Sequence, residues 1–406
     1  LSTYGQITFY ASKLFLMILL DKPYVSGFLK NTILENGYPT LALSSKEELN
    51  LDDSINLINS EEANNIVKGK GYPLLYTNSE NSIDWIQRNL QKTRLPDIIN
   101  LFKDKVRFRR FLKEFYPDYF FEEVKIDDLL TVDTSDYPFP VVLKPKVGFL
   151  SVGVHKINSV EEWNEKVRKV ESEIEKVTNL YPASVLNAGS FIAEKHIEGD
   201  EYAFDAYFDS NGEPVILNIF KHFFSHEDDV GDRVYLSSGE IINEKLKPFT
   251  EFLEQLGNSA DLKNFPLHVE VRITKDGKLF PIEINPMRFG GWCTTSDSTY
   301  FSYGFNPIEY FFNQQKPDWK TILSGREDKL YSIIVLDNTT GYEPDEIRSF
   351  DYDKLLQNFE HPLELRKMNV ADVHMFGFLF CKTDRSNFKE IEHILKSDLN
   401  EFIKVQ

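Results

Sequence analysis

FPIEINPMRFGG, residues 280–291, sets Glu283 and Asn285 two positions apart in an apolar run and follows them with Pro286, Arg288 and the Gly290-Gly291 pair. Side chains alternate along a β-strand, so Glu283 and Asn285 are expected on one face and Ile282 and Ile284 on the other. Just upstream, LHVEVRITKDGKLF alternates Leu267, Val269, Val271 and Ile273 with His268, Glu270 and Arg272 before Asp276-Gly277. Asp-Gly favours a two-residue hairpin turn. Lys275 then faces Lys278, and counting outward sets Glu270 opposite Glu283.

That count puts the two glutamates in a non-hydrogen-bonded pair, with Cα atoms ~4.5 Å apart. Facing like charges destabilise a sheet. Taken singly, each glutamate reads as a solvated residue of an amphipathic hairpin. Taken together, and followed by Pro-x-Arg-x-Gly-Gly, they read as half of a cation site. Oxygen donors alone suit Mg²⁺ or Mn²⁺.

At 406 residues, 41% hydrophobic and 27% charged, the chain has the composition of a globular protein of two or three domains. Its formal charge of −18 repels nucleic acid, so no nucleic-acid partner is expected. The basic run RFRRFLKEF (Arg107, Arg109, Arg110) reads as a solvated helix face. Two cysteines, Cys293 and Cys381, without a Cys-x-x-Cys, support neither a disulfide framework nor structural zinc, which fits a cytoplasmic location. LFLMILL is too short to span a membrane and reads as a buried strand, so no membrane partner is expected.

Residues 13–43 read as strand (KLFLMILL), loop, helix (FLKNTILENG) and strand (YPTLAL), the opening of an α/β sheet without Gly-x-Gly-x-x-Gly. PLLYTNSENSIDWIQRNL adds a second strand-helix unit. A basic helix, LFKDKVRFRRFLKEFYP, then leads into a strand-rich region, and the C-terminal part offers strands at YSIIVLD and VHMFGFLFC and a last helix, FKEIEHILKSDLNEFI. In FPVVLKPKVGFLSVGVHKI a strand ends at Lys144, passes Gly148 and resumes around Gly153, a strand-loop-strand whose backbone N–H groups suit a phosphate. FIAEKHIEGDEYAFDAYF, with Glu194, Lys195 and Glu201 around Glu198-Gly199-Asp200, reads by itself as an acidic hairpin.

In this order and spacing the motifs resemble the ATP-grasp superfamily, most nearly its carboxylate-amine ligases, over residues 1–325 and most sharply over 100–291. The resemblance implies an α/β and α+β chain. Residues 1–100 would form a Rossmann-like pre-ATP-grasp domain, 101–325 the ATP-grasp domain, and 326–406 a small α+β domain. It implies ATP and Mg²⁺ (or Mn²⁺) as cofactors, with two Mg²⁺ held between Glu270, Glu283 and Asn285, and small-molecule carboxylate and amine substrates, and it leaves room for a homodimer. Lys105 and Lys144 would grip ATP phosphates, and Gly148, Ser151, Val152 and Gly153 would belong to the lid over them. Glu194 would take the adenine amino group, Lys195 and Ile197 would offer backbone groups to the adenine edge, and Glu201 would hold the ribose. Arg288, with Lys144, would act in catalysis on the acyl phosphate or substrate.

The sequence departs from the family pattern in two places. Met287 intervenes between Pro286 and Arg288, and Phe149-Leu150 makes the lid tip apolar. The implied reaction is amide formation through an acyl phosphate with release of ADP and phosphate. The rivals are a small-molecule kinase on the same fold and a non-catalytic nucleotide-binding domain.

Overall fold

The computed structural model describes residues 16–69, 71–148, 153–177, 187–226 and 231–406. Strand β1, Leu16–Leu20, is buried at every residue, as suits the centre of a parallel sheet covered on both faces. It pairs in parallel with β2 (Thr40–Ala42) and β3 (Leu74–Thr77) in the order β2-β1-β3. The expected helix after β1 runs Gly27–Asn36. The Ser26 side chain accepts from the Leu29 N–H at its start, and Gly37 closes it at φ 61°, the left-handed C-terminal position glycine favours.

The expected basic helix is two helices, Leu95–Lys103 and Lys105–Leu112. Asp104 separates them because its carboxylate accepts from the N–H groups of Val106 and Arg107, both at 3.0 Å, and so caps the second.

A second, antiparallel sheet has the order β4-β7-β5-β6, from β4 (Phe121–Lys125), β5 (Val141–Val147), β6 (His155–Ile157) and β7 (Asn187–Lys195). Strands β5 and β6 are the expected strand-loop-strand, Val141 facing Ile157.

The largest sheet is antiparallel throughout, in the order β12-β11-β8-β9-β10-β13-β16-β15. Its strands are β8 (Asp200–Phe208), β9 (Pro214–Phe223), β10 (Val234–Ser238), β11 (Phe265–Ile273), β12 (Leu279–Pro286), β13 (Lys329–Asp337), β15 (Pro362–Lys367) and β16 (Met375–Asp384). Strands β14 (Ile347–Phe350) and β17 (Ile403–Val405) pair separately. The large sheet therefore takes strands from both sides of residue 325.

The acidic hairpin expected around Glu198-Gly199 does not form. Strands β7 and β8 belong to different sheets, because their apolar residues serve different cores: Phe191 and Ala193 pack with Trp163 and Leu143, Phe204 and Phe208 with Phe249 and Leu253. His196–Gly199 is instead the crossing between the sheets. Gly199, at φ 155°, passes so close to β11 that a Cβ would lie 2.2 Å from the Ile273 carbonyl oxygen.

The register of the large sheet separates its faces. One carries Val269, Val271 and Phe204 against the helix Gly239–Ala260, with Phe204 stacked on Phe249 at 4.8 Å. The other carries a cross-strand row of Glu283, Glu270, Ala203 and Phe220, and beside it a row of Arg272, Glu201, His222, Tyr235, Ile333 and Phe380. No helix among the described residues is long and apolar enough to cross a membrane.

Candidate active site

Glu270 faces Glu283 across β11 and β12, as expected, but through two departures that cancel. The turn has three residues, Lys275–Gly277. The Thr274 N–H donates to the Lys278 carbonyl at 3.0 Å, and Gly277 takes φ 81°, so Ile273 faces Leu279 and the expected register is lost by one residue. Ile282 is then an extra residue in β12, between the Val271/Pro281 and Glu270/Glu283 pairs. This bulge restores the register.

The pairing type also differs from expectation. The Met287 N–H donates to the Pro266 carbonyl at 2.8 Å. Stepping two residues at a time from that pair makes Glu270/Glu283 a hydrogen-bonded pair, with Cα atoms ~5.5 Å apart. Because of the bulge, Ile282 lines the same cavity as Glu283, where simple alternation would turn it away.

Burial and the facing Glu283 hold the Glu270 carboxyl well above the usual carboxylate range. Burial works in the same direction on Glu283, but the ammonium groups of Lys105, Lys103 and Lys144 outweigh it and hold Glu283 low. Two carboxylates sharing a buried site cannot both ionise freely, and here Glu270 is the one pushed up. Asn285 lies on the same face, its Nδ2 donating to Glu270 Oε1 at 3.5 Å. His268 joins them with Nε2 3.9 Å from Glu270 and Nδ1 2.7 Å from buried Asp205. Among the described residues, no three His, Cys, Asp or Glu side chains converge on one point, so a cation here would rest on two carboxylates, Asn285 and its other ligands.

Lys105 is the first residue of its helix, directly after the Asp104 cap. Its ammonium lies 3.4 Å from both Glu283 Oε1 and the Gly148 carbonyl. Lys144 reaches from β5 to Glu194 Oε1 at 2.7 Å, and burial lowers its pKa against the pull of Glu194. Glu194 also receives Arg109 through Nε at 2.5 Å and Nη2 at 3.1 Å. Although burial opposes ionisation, these two cations bring the Glu194 carboxyl down to about 2.

Arg109 donates further to the carbonyls of Pro281 at 2.8 Å and Ile282 at 3.2 Å. One guanidinium thus ties β7 of the smaller sheet to the bulge of the larger. The expected solvated face holds for Arg107 and Arg110, which are exposed, and fails for Arg109, which is buried. The signal was present in the sequence: Lys105, Phe108, Arg109 and Leu112 fall at the i, i+3, i+4, i+7 spacing of a buried helix face.

The crossing segment lies along the cavity. The Lys195 carbonyl accepts from Tyr119 Oη at 2.7 Å and the Ile197 carbonyl from Arg272 Nη1 at 2.7 Å, each keeping a second lone pair. Glu201 accepts from Arg272 Nε at 2.8 Å and lies 3.3 Å from His222 Nδ1. Against burial, those partners bring its carboxyl to about 2. Arg272 and His222 were given no site role from sequence, although Arg272 stands two residues from Glu270 and must share its face.

Met287 accounts for its own intrusion into the motif. It is fully buried at φ 68°, its N–H bonded to Pro266 and its carbonyl accepting from the Thr77 N–H at 2.8 Å. The extra residue sews β12 to β3 and turns Arg288 onto Glu80, Nη2 to Oε1 at 2.6 Å. Glu80 also receives Lys103 at 2.5 Å, and these cations overcome burial to bring it to about 2. Gly148 and Gly153 of the expected lid are described; Phe149, Leu150, Ser151 and Val152 lie outside the described residues.

Lys105, Lys144, Gly148, Glu194, Lys195, Ile197, Glu201, Glu270, Glu283, Asn285 and Arg288 therefore line one cavity, of about 1990 Å³, between the two antiparallel sheets.

Residues 137–296 match the family model described as an ATP-grasp domain. No curated protein sequence matches the chain. Among solved structures, L-amino acid ligase from Bacillus licheniformis superposes with a TM-score of 0.67 at 16% identity, covering 97% of this chain and 98% of that one. N5-carboxyaminoimidazole ribonucleotide synthetase from Thermotoga maritima gives 0.61 at 14% identity, covering 96% and 99%. The biotin carboxylase domain of Hydrogenobacter thermophilus 2-oxoglutarate carboxylase, solved as a dimer with MgADP, gives 0.58 at 13%, covering 97% and 91%. At these identities the likeness concerns the fold. Residues 137–296 thus match the ATP-grasp domain, and the chain shares its fold with these solved structures.

Proposed function

We propose that the chain is an ATP-dependent carboxylate-amine ligase. The γ-phosphoryl group of ATP passes to a carboxylate oxygen and ADP departs. An amine nitrogen then attacks the acyl carbon, loses a proton and expels phosphate, leaving an amide. The observation that carries this reading is the convergence of Glu270, Glu283, Lys105, Lys144 and Arg288 on one cavity. At about 1990 Å³ it exceeds the ~300–1,000 Å³ of a site for one small molecule, so it has room for a nucleotide and two further substrates.

Phosphoryl transfer depends mostly on positioning and charge neutralisation, and these residues supply both. Lys105 and Lys144 bring ammonium groups to the phosphates. When Lys144 turns to phosphate, Arg109 remains on Glu194, so no buried carboxylate is stranded. Glu194 is assigned the adenine amino group, the backbone of Lys195 and Ile197 the adenine edge, and Glu201 the ribose hydroxyls. Ile282, brought to the cavity by the bulge, offers an apolar surface for the base. The lid from Gly148 through Ser151 and Val152 to Gly153 keeps its assignment to the phosphates. Arg288, fixed by Glu80, is assigned the acyl phosphate.

The donor set fits Mg²⁺ or Mn²⁺. The positive charge near the pair lies on the Glu283 side and leaves Glu270 open to a cation, and Asn285 turned over about its amide presents Oδ1 in place of Nδ2. When bound, the metal neutralises and holds the ATP phosphates. The reading also includes a cytoplasmic location.

The test is ADP release on presentation of carboxylic-acid and amine pools, repeated with hydroxylamine as the amine. A ligase gives substrate-dependent ADP and a hydroxamate. ADP release without a hydroxamate makes the chain a kinase, and nucleotide binding without turnover on any pool makes it a non-catalytic domain.

A further inference from the structure

The site face of the large sheet changes character along its width. From β12 to β9 it carries Glu283, Asn285, Glu270, Arg272, Glu201 and His222. Across β13 and β16 it turns apolar, with Ile333 and Val335 on β13 and Phe378 facing Val335 from β16. Ile333, Val335 and Phe378, together with Met375 and Trp292, line the same cavity as the carboxylates. Apolar side chains on a wall otherwise built of charge mark a compartment for an apolar group.

Trp292 is held at its edge. It follows Gly290-Gly291 at φ 57°, ψ 23°, a left-handed conformation that a bulky residue keeps only where its surroundings impose it. Arg366 of β15 supplies the constraint, donating from Nη1 to the Trp292 carbonyl at 3.2 Å while Nη2 bonds the buried carboxylate of Asp297. The Trp292 ring centroid lies 6.0 Å from that of Phe378 and 6.2 Å from that of Tyr24. Asp337 and Asp372 also line the cavity, and burial raises the Asp337 carboxyl. Added negative charge is unwelcome there.

We propose that Trp292, Ile333, Val335, Met375 and Phe378 form the pocket for an apolar side chain, branched aliphatic or aromatic, on the carboxylate substrate. Arg366 acts as the positioning residue that holds Trp292 in place. Substrate choice then resides largely in the segment after residue 325. This inference rests on the ligase reading above.

Steady-state ADP release is measured for a series of amino acids of similar size with apolar, polar and acidic side chains. The expected result is at least a tenfold higher kcat/KM for leucine, methionine or phenylalanine than for asparagine or aspartate. Met375→Ala, which widens the pocket, shifts preference toward larger apolar acids, and Val335→Phe, which narrows it, toward smaller ones. Each shift is about tenfold or more, with the KM for ATP unchanged. A melting-temperature rise with Mg²⁺-ATP shows that each variant is folded. Equal kcat/KM for apolar and polar acids overturns the proposal while leaving the ligase reading intact, and so does an unchanged preference in both folded variants. No ADP release by wild type on any acid and amine overturns the ligase reading and this inference with it.

Discussion

Glu270 and Glu283 face each other from adjacent strands, and the cations near them are unequally shared. Lys105 sits 3.4 Å from Glu283, whereas among the described residues Glu270 has only His268, at 3.9 Å, within ion-pairing distance. If a divalent cation completes the pair, Glu283→Gln removes a ligand and relieves a like-charge contact together. Turnover is expected to vanish, while metal-free stability changes by less than ~1 kcal/mol, because the lost repulsion offsets the lost contact with Lys105. Turnover at saturating ATP and Mg²⁺, with melting temperatures with and without Mg²⁺-nucleotide, decides the matter. A variant that turns over normally, or keeps the full metal-dependent rise, removes Glu283 from the site and Asn285 with it. Lys144 makes a cleaner case. Its loss leaves Glu194 bound bidentately by Arg109, so Lys144→Ala should weaken ATP binding by ~1.5–3 kcal/mol, the value of a charge-assisted phosphate contact. Calorimetry showing unchanged affinity would put the phosphates elsewhere.

Among the elements, the helix Lys105–Leu112 is placed by its cap. Replacing Asp104 by Ala frees two N–H groups and removes a carboxylate 3.3 Å from Lys146. A loss of ~1 kcal/mol in urea unfolding is expected, with a raised KM for ATP because Lys105 is the first residue of that helix. Unchanged stability and KM would mean the helix start is fixed by its packing alone. Such local devices were legible in the sequence, as were the strand alternation, the strand-loop-strand at 141–157 and the sign of the charges in FPIEINPMRFGG. The β11–β12 hairpin was legible only in outcome. Its Asp-Gly turn takes three residues, and the Ile282 bulge that repairs the register is held by Arg109 carbonyl contacts from more than 170 positions away. Pairing between distant strands was not legible either, so β7 and β8 read as a hairpin although each pairs elsewhere. Least visible was the helix Thr294–Tyr303, TTSDSTYFSY, mostly buried yet polar and without an amphipathic pattern. It is accommodated because its polar side chains find partners on the site face of the large sheet. Thr299 accepts from Asn218, Tyr303 bonds Ser237, and Asp297 pairs with Arg366. Those partners lie 66 to 81 positions away, beyond the reach of any local pattern.

Across the whole molecule, buried ion clusters join the layers around the cavity. Glu80 binds Lys103 and Arg288, linking the segment after β3 to the end of β12. Glu194 binds Arg109 and Lys144, linking the smaller sheet to the helix beside the bulge. Glu201 binds Arg272 across β8 and β11. Each of the three carboxyls sits at about 2, below the ~4.3 of an unfolded glutamate. Their stabilisation is therefore fully present above about pH 4.3 and is lost as pH falls through 2, on the order of 3 kcal/mol for each group by linkage. Glu270 has the opposite sign. Its folded carboxyl is raised, so from about pH 4.3 upward the unfolded chain releases a proton that the metal-free fold retains, and stability declines until the folded group itself ionises. Metal-free protein should therefore be most stable in mildly acidic solution and weaken in both directions. Mg²⁺ binding must displace the Glu270 proton, so Mg²⁺-nucleotide should raise the melting temperature more at pH 7.5 than at pH 5.5. Melting curves from pH 3 to 8 with and without Mg²⁺-nucleotide, on wild type and Glu270→Gln, test both limbs. Stability that stays level down to pH 3 would detach the three clusters from folding. An identical Mg²⁺-nucleotide shift at pH 5.5 and 7.5 in wild type would mean that Glu270 holds no proton for the metal to displace.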